Sequence, residues 1–334
     1  NFVIASIDIE TGAKTNQLYS IAVHITGKNG EHKKVFMIGE KPKRDSELIS
    51  FYNDERELLT NFFVWFKQID PDIIIGWHVI GFDLLFLDNK CRELGISLDI
   101  ARANGRVSIR QRKPSGHFIS VTGRVVIDGP TMLRASFFSF EDFKLETVAQ
   151  ELLGTGKTIT PDENKIEEID RQFREDKFAL AEYNLQDAVL VTDIFSKTGL
   201  IVLSVRRAQI SGLLMDQLGM MTAAFDHFYL PRLHRAGFAA PNLKDIQTNE
   251  HAAGGYVIEP TPGIYENIIV LDFKSLYPSI IQTFKIDPYS LLMKDVDTIQ
   301  TLNGYKFSAS LHILPDFIDE LMKLRDIAKK KKDK

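Results

Sequence analysis

The nine residues from Phe2 to Glu10 read FVIASIDIE, an apolar run that ends in two acids. The run is rich in β-branched residues and is followed by Thr11-Gly12, which predicts a buried strand and then a turn. Because side chains alternate along a strand, Asp8 and Glu10 point to one face and the isoleucines beside them to the other. Two neighbouring carboxylates repel each other unless a cation lies between them. The strand end is therefore a candidate site for a hard divalent ion.

The composition of the chain bounds the possible classes of protein. Its 334 residues predict about two domains, and 44% hydrophobic with 26% charged residues excludes wholesale disorder. A formal net charge of −4 excludes a generally basic DNA-coating protein but allows a nucleic-acid enzyme with an acidic metal site. The single cysteine, Cys91, excludes an intrachain disulfide. Because the chain starts inside a strand and stops in a lysine run, we expect a fragment of a longer protein.

The predicted elements follow the order strands, helix, strand, helix, which is typical of an α/β domain with a mixed sheet flanked by helices. Apolar runs predict strands over residues 2–9, 18–26, 33–38, 72–76 and 268–271, and a strand or hairpin over 118–128. Helical periodicity predicts helices over 54–69, 82–94, 144–153 and 176–197, with helical sequence from 200 to 233. The turn-rich stretch 241–262 indicates a boundary.

Two further predicted elements carry acids near apolar edges. Asp83 starts the helix that follows the buried strand 72–76, where ligands sit in α/β sheets. Tyr183 and Asp187 are four residues apart on a predicted helix and lie on one face. Each feature alone is explained by a surface acid or a tyrosine at the edge of the core. Together with the first strand, the four acids could hold two cations about 3.5–4 Å apart, which suits phosphodiester hydrolysis.

Five motifs, in family order, resemble those of the family B DNA polymerases. Residues 2–10, 76–83 (GWHVIGFD) and 183–187 (YNLQD) resemble the three exonuclease motifs of that family. Residues 254–256 (GGY) resemble the glycine pair before the palm, and 270–280 (VLDFKSLYPSI) are similar to polymerase motif A. The sequence between the motifs is most similar to the polymerase II-like bacterial members.

The resemblance implies a ribonuclease H-like 3′–5′ exonuclease domain over residues 1–198 and a helical connecting segment over 199–250. Residues 251–334 would be the beginning of a polymerase palm, truncated before the fingers. The parent protein is then expected to be a DNA-directed DNA polymerase with a proofreading exonuclease. It would act in the cytoplasm in association with the nucleoid.

The resemblance also implies roles for individual residues of the exonuclease domain. Asp8, Glu10 and Asp187 would surround one metal ion, and Asp8 would bridge to a second ion that Asp83 supports. Tyr183 would orient the attacking water. The residues expected to contact DNA are His78, Phe82, Gly254, Gly255 and Tyr256.

In the palm segment, Asp272 would be one of the two catalytic carboxylates that bind the polymerase metals. The residues expected to hold the incoming deoxynucleoside triphosphate are Ser275, Leu276 and Tyr277. The cofactors implied are two Mg²⁺ or Mn²⁺ ions per active site. The partners implied are the primer 3′ end and template strand of DNA, the remainder of the polymerase chain, and a sliding clamp as a candidate partner of the full-length protein, but no membrane.

This sequence departs from the family pattern at two positions. His78 stands where the second exonuclease motif usually has asparagine, and Ala252 stands where an aromatic residue often precedes the glycine pair. Asp295-Val296-Asp297 comes too soon after motif A to be the catalytic Asp-Thr-Asp, so we expect a loop there.

Because polymerase motifs B and C are not found in these 334 residues, we predict that this chain by itself does not polymerise DNA. The purified chain, given a primed template, Mg²⁺ and deoxynucleoside triphosphates, is expected to leave the primer unextended. Measurable primer extension would contradict this prediction.

Two other functions share part of this pattern. A stand-alone ribonuclease H-like exonuclease would carry the four acids but has no need of residues 272–280. A non-catalytic nucleic-acid-binding module would have no need of the intact acids and Tyr183. A metal-binding titration would separate such a module from an exonuclease.

Overall fold

The first predicted strand, β1 (Ile4–Gly12), lies inside a six-stranded mixed sheet in the computed structural model. The structure describes residues 2–28, 30–40, 46–111, 116–155, 165–217, 220–246, 255 and 257–332. The chain divides into two units, Asn1–Met220 and Met221–Lys334. The domain boundaries predicted at residues 198 and 250 follow the family order and stay a prediction.

Most elements of the first unit match the predicted pattern. Its other strands are β2 (Gln17–Gly27), β3 (Gly30–Ile38), β4 (Ile49–Tyr52), β5 (Ile73–Gly76), β6 (Val107–Gln111), β7 (His117–Val121) and β8 (Val125–Asp128). Its α-helices are α1 (Glu55–Ile69), α2 (Asp83–Glu93), α3 (Gly129–Ala135), α4 (Leu145–Leu153), α5 (Lys165–Glu175), α6 (Lys177–Thr198) and α7 (Leu200–Ser211).

The main sheet has the strand order β4-β3-β2-β1-β5-β8. β2 is antiparallel to β1 and β3, whereas β5 is parallel to both β1 and β8, and β4 is parallel to β3. These strand directions confirm the predicted mixed sheet. Helices cover both of its faces, as predicted. Ala5, Ile7 and Ile9 pack with α1 and α2, and the opposite face packs against α4 and α6. The alternation of side chains therefore turns Asp8 and Glu10 towards α6.

Helix α6 packs on the sheet through a side that is mostly apolar. Because Tyr183, Asn184 and Asp187 lie on that same buried side, the packing also brings them to the sheet. The beginning of the helix is capped by Asp176, whose carboxylate accepts a hydrogen bond from the backbone N–H of Ala179 at 3.1 Å. It ends at Gly199, which has a φ of 65° and so adopts the left-handed conformation that favours glycine. The buried residues of the helix are Leu180, Ala181, Tyr183, Asn184, Asp187, Ala188, Leu190, Val191, Ile194 and Phe195.

The stretch 118–128, predicted as a strand or hairpin, contributes to two different sheets. β7 pairs antiparallel with β6 in a separate two-stranded sheet, whereas β8 forms the edge of the main sheet beside β5. Gly123, at a φ of 78°, reverses the chain between β7 and β8. Apolar periodicity is similar in both strands, so the sequence did not separate them.

The second unit contains α8 (Met221–Arg235), α9 (Leu276–Phe284), α10 (Pro288–Leu292) and α11 (Leu314–Lys332), with strands β9 (Thr298–Gln300) and β10 (Lys306–Ser308). Residues 295–297, predicted as a loop, are turn and bend.

The buried strand predicted over residues 268–271 is wrong. These four apolar residues are exposed, Leu271 by 89%, and none of the described segments pairs with them. A strand is stabilised by hydrogen bonds to a neighbouring strand, and its apolar sequence alone does not supply them.

Among the described residues, no single helix is both long and apolar enough to cross a membrane. Only α6 and α7 taken together meet that test, and they are bent by 57° where they join.

Candidate active site

Three carboxylates from two elements meet beside the second half of β1. Asp8 and Glu10 on β1 and Asp187 on α6 each offer an oxygen, and these oxygens lie within 4.8 Å of one another. Glu10 and Asp187 are buried, and Asp8 is half-buried. Three acids so close together concentrate negative charge in a largely buried site. Hard oxygen ligands in this arrangement suit a divalent cation such as Mg²⁺ or Mn²⁺.

Asp83 is not one of the three acids of this cluster, although it lies near them. It begins α2, is 2% exposed, and its Oδ1 accepts a hydrogen bond from the backbone N–H of Ile9 at 3.1 Å. Burial, and secondarily the nearby Asp8 carboxylate, raise the pKa of Asp83 well above its ordinary value. Among the described residues, three acids therefore share one ligand-sized site, and Asp83 contacts the β1 backbone beside them.

The connection from β5 to α2 depends on two backbone positions. A Cβ on Gly76 would lie 2.7 Å from the Val79 Cβ and 2.8 Å from the Ile7 carbonyl oxygen, so only glycine fits there. His78 has a φ of 63°, a left-handed conformation in which asparagine and histidine are both enriched. Histidine, like asparagine, therefore accommodates this backbone conformation. His78 is exposed, and its carbonyl accepts a hydrogen bond from the Phe82 N–H at 2.9 Å.

Tyr183 lies one helical turn before Asp187, on the same buried face of α6. The phenol is 2% exposed. Burial, followed by the charges of Asp187, Glu10 and Asp8, raises the pKa of Tyr183 above its ordinary value. The hydroxyl therefore stays protonated and remains a hydrogen-bond donor beside the acid cluster.

Sequence reasoning missed Asn184 as part of the site. Asn184 is fully buried, and its Nδ2 donates to the Asp8 Oδ2 at 2.6 Å. Its Oδ1 accepts a hydrogen bond from the Ser20 hydroxyl on β2 at 2.7 Å. The signal available in the sequence was an amide on the apolar side of a core helix, next to a candidate water-positioning tyrosine.

A cavity of about 470 Å³ opens beside the acids. Asp8, Glu10 and Asp187 line one part of it, and the rest is largely apolar. The large apolar residues that line it are Ile9, Trp77, Phe82, Phe86, Leu145, Ile166 and Ile169. Phe82 is 48% exposed, and its ring centroid lies 6.4 Å from that of Phe86, so part of its side chain is accessible to a ligand.

The residues predicted for the polymerase site belong to the second unit. Asp272 is exposed, and Tyr277 is 78% exposed. Ser275 has a φ of 56°, and its Oγ accepts a hydrogen bond from Arg325 Nη1 at 2.8 Å. Leu276 is 42% exposed and begins α9.

The predicted glycine-pair motif is described only in part. Gly255 is exposed, whereas Gly254 and Tyr256 lie outside the described residues, as does Ala252.

Comparison with known proteins identifies two regions of the chain. The family model described as "DNA polymerase family B, exonuclease domain" matches residues 1–148, and that described as "DNA polymerase family B" matches residues 223–331. The first match includes Asp8, Glu10 and Asp83. Tyr183 and Asp187 lie between the two matches.

Individual relatives extend over nearly the whole chain. It is 42% identical to DNA polymerase II of Escherichia coli strain K12 over 98% of this chain and 42% of that protein. It is 32% identical to a DNA polymerase of Archaeoglobus fulgidus over 84% of this chain and 34% of that protein. The chain thus spans less than half the length of these relatives.

A solved structure shares the fold. The family B DNA polymerase from Pyrobaculum calidifontis superposes with a TM-score of 0.67 and 22% identity, covering 99% of this chain and 43% of that one.

Proposed function

Because the chain belongs to the family B DNA polymerases, with the exonuclease domain and part of the polymerase domain of that family, we propose that its first unit removes nucleotides from the 3′ end of DNA. The observation that carries the proposal is the group of three carboxylate oxygens within 4.8 Å at the edge of an apolar-walled cavity. An acidic site of this kind repels the phosphates of DNA unless cations neutralise it. The activity is therefore expected to depend on divalent metal.

The residues present fit such a metal. Asp8, Glu10 and Asp187 supply hard anionic oxygens, which Mg²⁺ and Mn²⁺ prefer over softer ligands. In our proposal these three acids would hold one ion, and Asp8 together with Asp83 would hold a second. When bound, such ions make a water molecule more acidic and stabilise negative charge on the leaving oxygen.

Tyr183 is proposed to orient the attacking water. Its hydroxyl stays protonated because burial and the neighbouring acids raise its pKa, so it can donate a hydrogen bond while the carboxylates accept. Two opposite hydrogen-bonding partners fix the position of a water molecule better than one. The buried position of the phenol on α6 also keeps it rigid.

The apolar part of the cavity is proposed to receive the terminal nucleoside. The exposed part of Phe82 can stack on a base, a contact worth about 1–3 kcal/mol per base and tolerant of sequence. A mismatched or single-stranded 3′ end enters more readily, because less pairing energy is lost when it is separated. His78, exposed before the same turn, is proposed to contact the DNA as the usual asparagine would.

For the whole protein we propose DNA polymerase activity in which Asp272 binds a metal ion and residues 275–277 bind the deoxynucleoside triphosphate. Residues 1–198, 199–250 and 251–334 are then the exonuclease domain, the connecting segment and the first part of the palm. A sliding clamp as partner and location at the nucleoid belong to the same proposal. The polymerase activity and the order of the three segments are supported by the motif order and by the family match over residues 223–331.

The direct test is a degradation assay with 5′-labelled single-stranded DNA and a duplex that has a mismatched 3′ end. In Mg²⁺ or Mn²⁺ the chain is expected to shorten both stepwise from the 3′ end and to release deoxynucleoside monophosphates. A matched duplex is expected to react more slowly, and chelation of the metal with EDTA is expected to stop all shortening. The same assay is repeated with an RNA strand of the same sequence. Equally fast degradation of the RNA would indicate a general ribonuclease H-like exonuclease. Degradation from the 5′ end, or degradation that persists in EDTA, would contradict the proposal.

A further inference from the structure

A chain of two hydrogen bonds connects β2, α6 and β1 behind the acid cluster. The Ser20 hydroxyl donates to Asn184 Oδ1 at 2.7 Å, and Asn184 Nδ2 donates to Asp8 Oδ2 at 2.6 Å. Ser20 and Asn184 have no solvent exposure. Ser20 lies directly opposite Glu10 in the β1–β2 register, so the chain of bonds runs along the wall of the site.

The chemistry of the three groups fixes the direction of both bonds. An ionised carboxylate only accepts hydrogen bonds, so the amide must present its NH₂ group to Asp8. The amide oxygen then faces Ser20, whose hydroxyl must donate. With both ends engaged, the amide has one orientation, and rotation would place its oxygen against the Asp8 carboxylate.

We propose that Asn184 is a positioning residue for Asp8, and that Ser20 holds Asn184 in the required orientation. A bond to one carboxylate oxygen restricts rotation of the whole carboxylate, which contributes an oxygen to the site shared with Glu10 and Asp187. Carboxylates that bind metals are commonly oriented in this way by a neighbouring hydrogen-bond donor. An amide suits the position because it adds no positive charge that would compete with a cation.

This inference rests on the proposed metal-dependent function, and metal affinity tests it without reference to turnover. Mn²⁺ binding to the full 334-residue chain is measured by titration calorimetry and by the electron paramagnetic resonance signal of free Mn²⁺. Asn184→Leu retains the approximate shape and removes both hydrogen bonds. It is expected to weaken Mn²⁺ binding about 10–100-fold, the range typical of such supporting residues. Ser20→Ala is expected to weaken binding less and in the same direction.

A double-variant cycle separates positioning from loss of packing. If Ser20 acts through Asn184, Ser20→Ala has no further effect on Mn²⁺ affinity in the Asn184→Leu background. Thr192→Val is the matched control, because Thr192 on α6 also contacts a β2 side chain, the His24 Nδ1 at 2.9 Å. It is expected to leave Mn²⁺ affinity unchanged.

The outcomes distinguish this inference from the proposed function. If the unsubstituted chain binds no Mn²⁺, the proposed function fails and this inference with it. If the unsubstituted chain binds Mn²⁺ and the folded Asn184→Leu variant binds it equally well, only the positioning role is overturned. Equal weakening by Thr192→Val would also overturn it. If Asn184→Leu does not fold, as judged by circular dichroism, Ser20→Ala decides the question, because it removes a single hydroxyl and unchanged affinity would refute the role.

Discussion

We expect the Asp8→Ala variant to lose 3′-end degradation by about 10³-fold or more, because this carboxylate lies at the centre of the proposed site. It shares the ligand-sized site with Glu10 and Asp187, its charge acts on Asp83, and it receives the Asn184 hydrogen bond. Losing about 4 kcal/mol of transition-state stabilisation corresponds to roughly 10³-fold in rate. The measurement is the single-turnover rate of nucleotide removal from a single-stranded 3′ end at saturating Mg²⁺.

Two companion variants accompany this measurement: one separates the charge of Asp8 from its shape, and the other is a control at a different acid. Asp8→Asn retains an oxygen that can accept the Asn184 hydrogen bond, so we expect it to fold like the unsubstituted chain and still lose most activity. Asp193→Ala removes an exposed acid from α6, the helix that carries Asp187, and is expected to react at the normal rate. If Asp8→Asn retained full activity, the assignment of Asp8 as an anionic metal ligand would have to be abandoned.

The second large effect is expected for Tyr183→Phe, which removes only the buried hydroxyl. Loss of one well-placed hydrogen-bond donor to a reacting group typically lowers the rate about 10²-fold. Because the hydroxyl is proposed to act on the attacking water, we expect kcat to fall and KM for DNA to stay nearly constant. The measurement is the steady-state rate of nucleotide release at several DNA concentrations.

The pH dependence of this variant provides a further check. Folding raises the pKa of Tyr183 above the ordinary value of a tyrosine, so the phenol is protonated below that value in both the folded and the unfolded chain. From about pH 6 to 9, Tyr183→Phe should therefore lower the rate uniformly and leave the shape of the pH profile unchanged.

Tyr229→Phe is the matched control for this substitution. Tyr229 is also a buried phenol, with a pKa raised first by burial, and it donates a hydrogen bond to the Asp287 Oδ1 at 2.5 Å in the second unit. It is expected to leave exonuclease activity unchanged. A Tyr183→Phe variant with normal kcat, or one whose main change is in KM, would argue against a role in orienting water.

Local patterns were sufficient to predict most elements of the first unit, but not β4, β6, α3 or α5. The strand and helix bounds differ from the predicted ones by only a few residues at β1, α1, β5, α4 and α6, because alternation, helical periodicity and the glycines at helix ends act over short distances. The same local patterns wrongly predicted a buried strand over residues 268–271. An apolar tetrapeptide has the same sequence signature whether or not another strand is available to pair with it.

The sequence by itself determined that Asp8 and Glu10 share a face of β1, and that Tyr183 and Asp187 share a face of α6, because the periods of strand and helix fix these relations. Only the tertiary structure decided that the two faces meet. The packing of α6 on β1 and β2 brings Asp187 to the two β1 acids and joins Ser20 to Asp8 through Asn184. The physical reason is distance along the chain: Asn184 and Asp8 are separated by 176 residues, and no local periodicity sets their register.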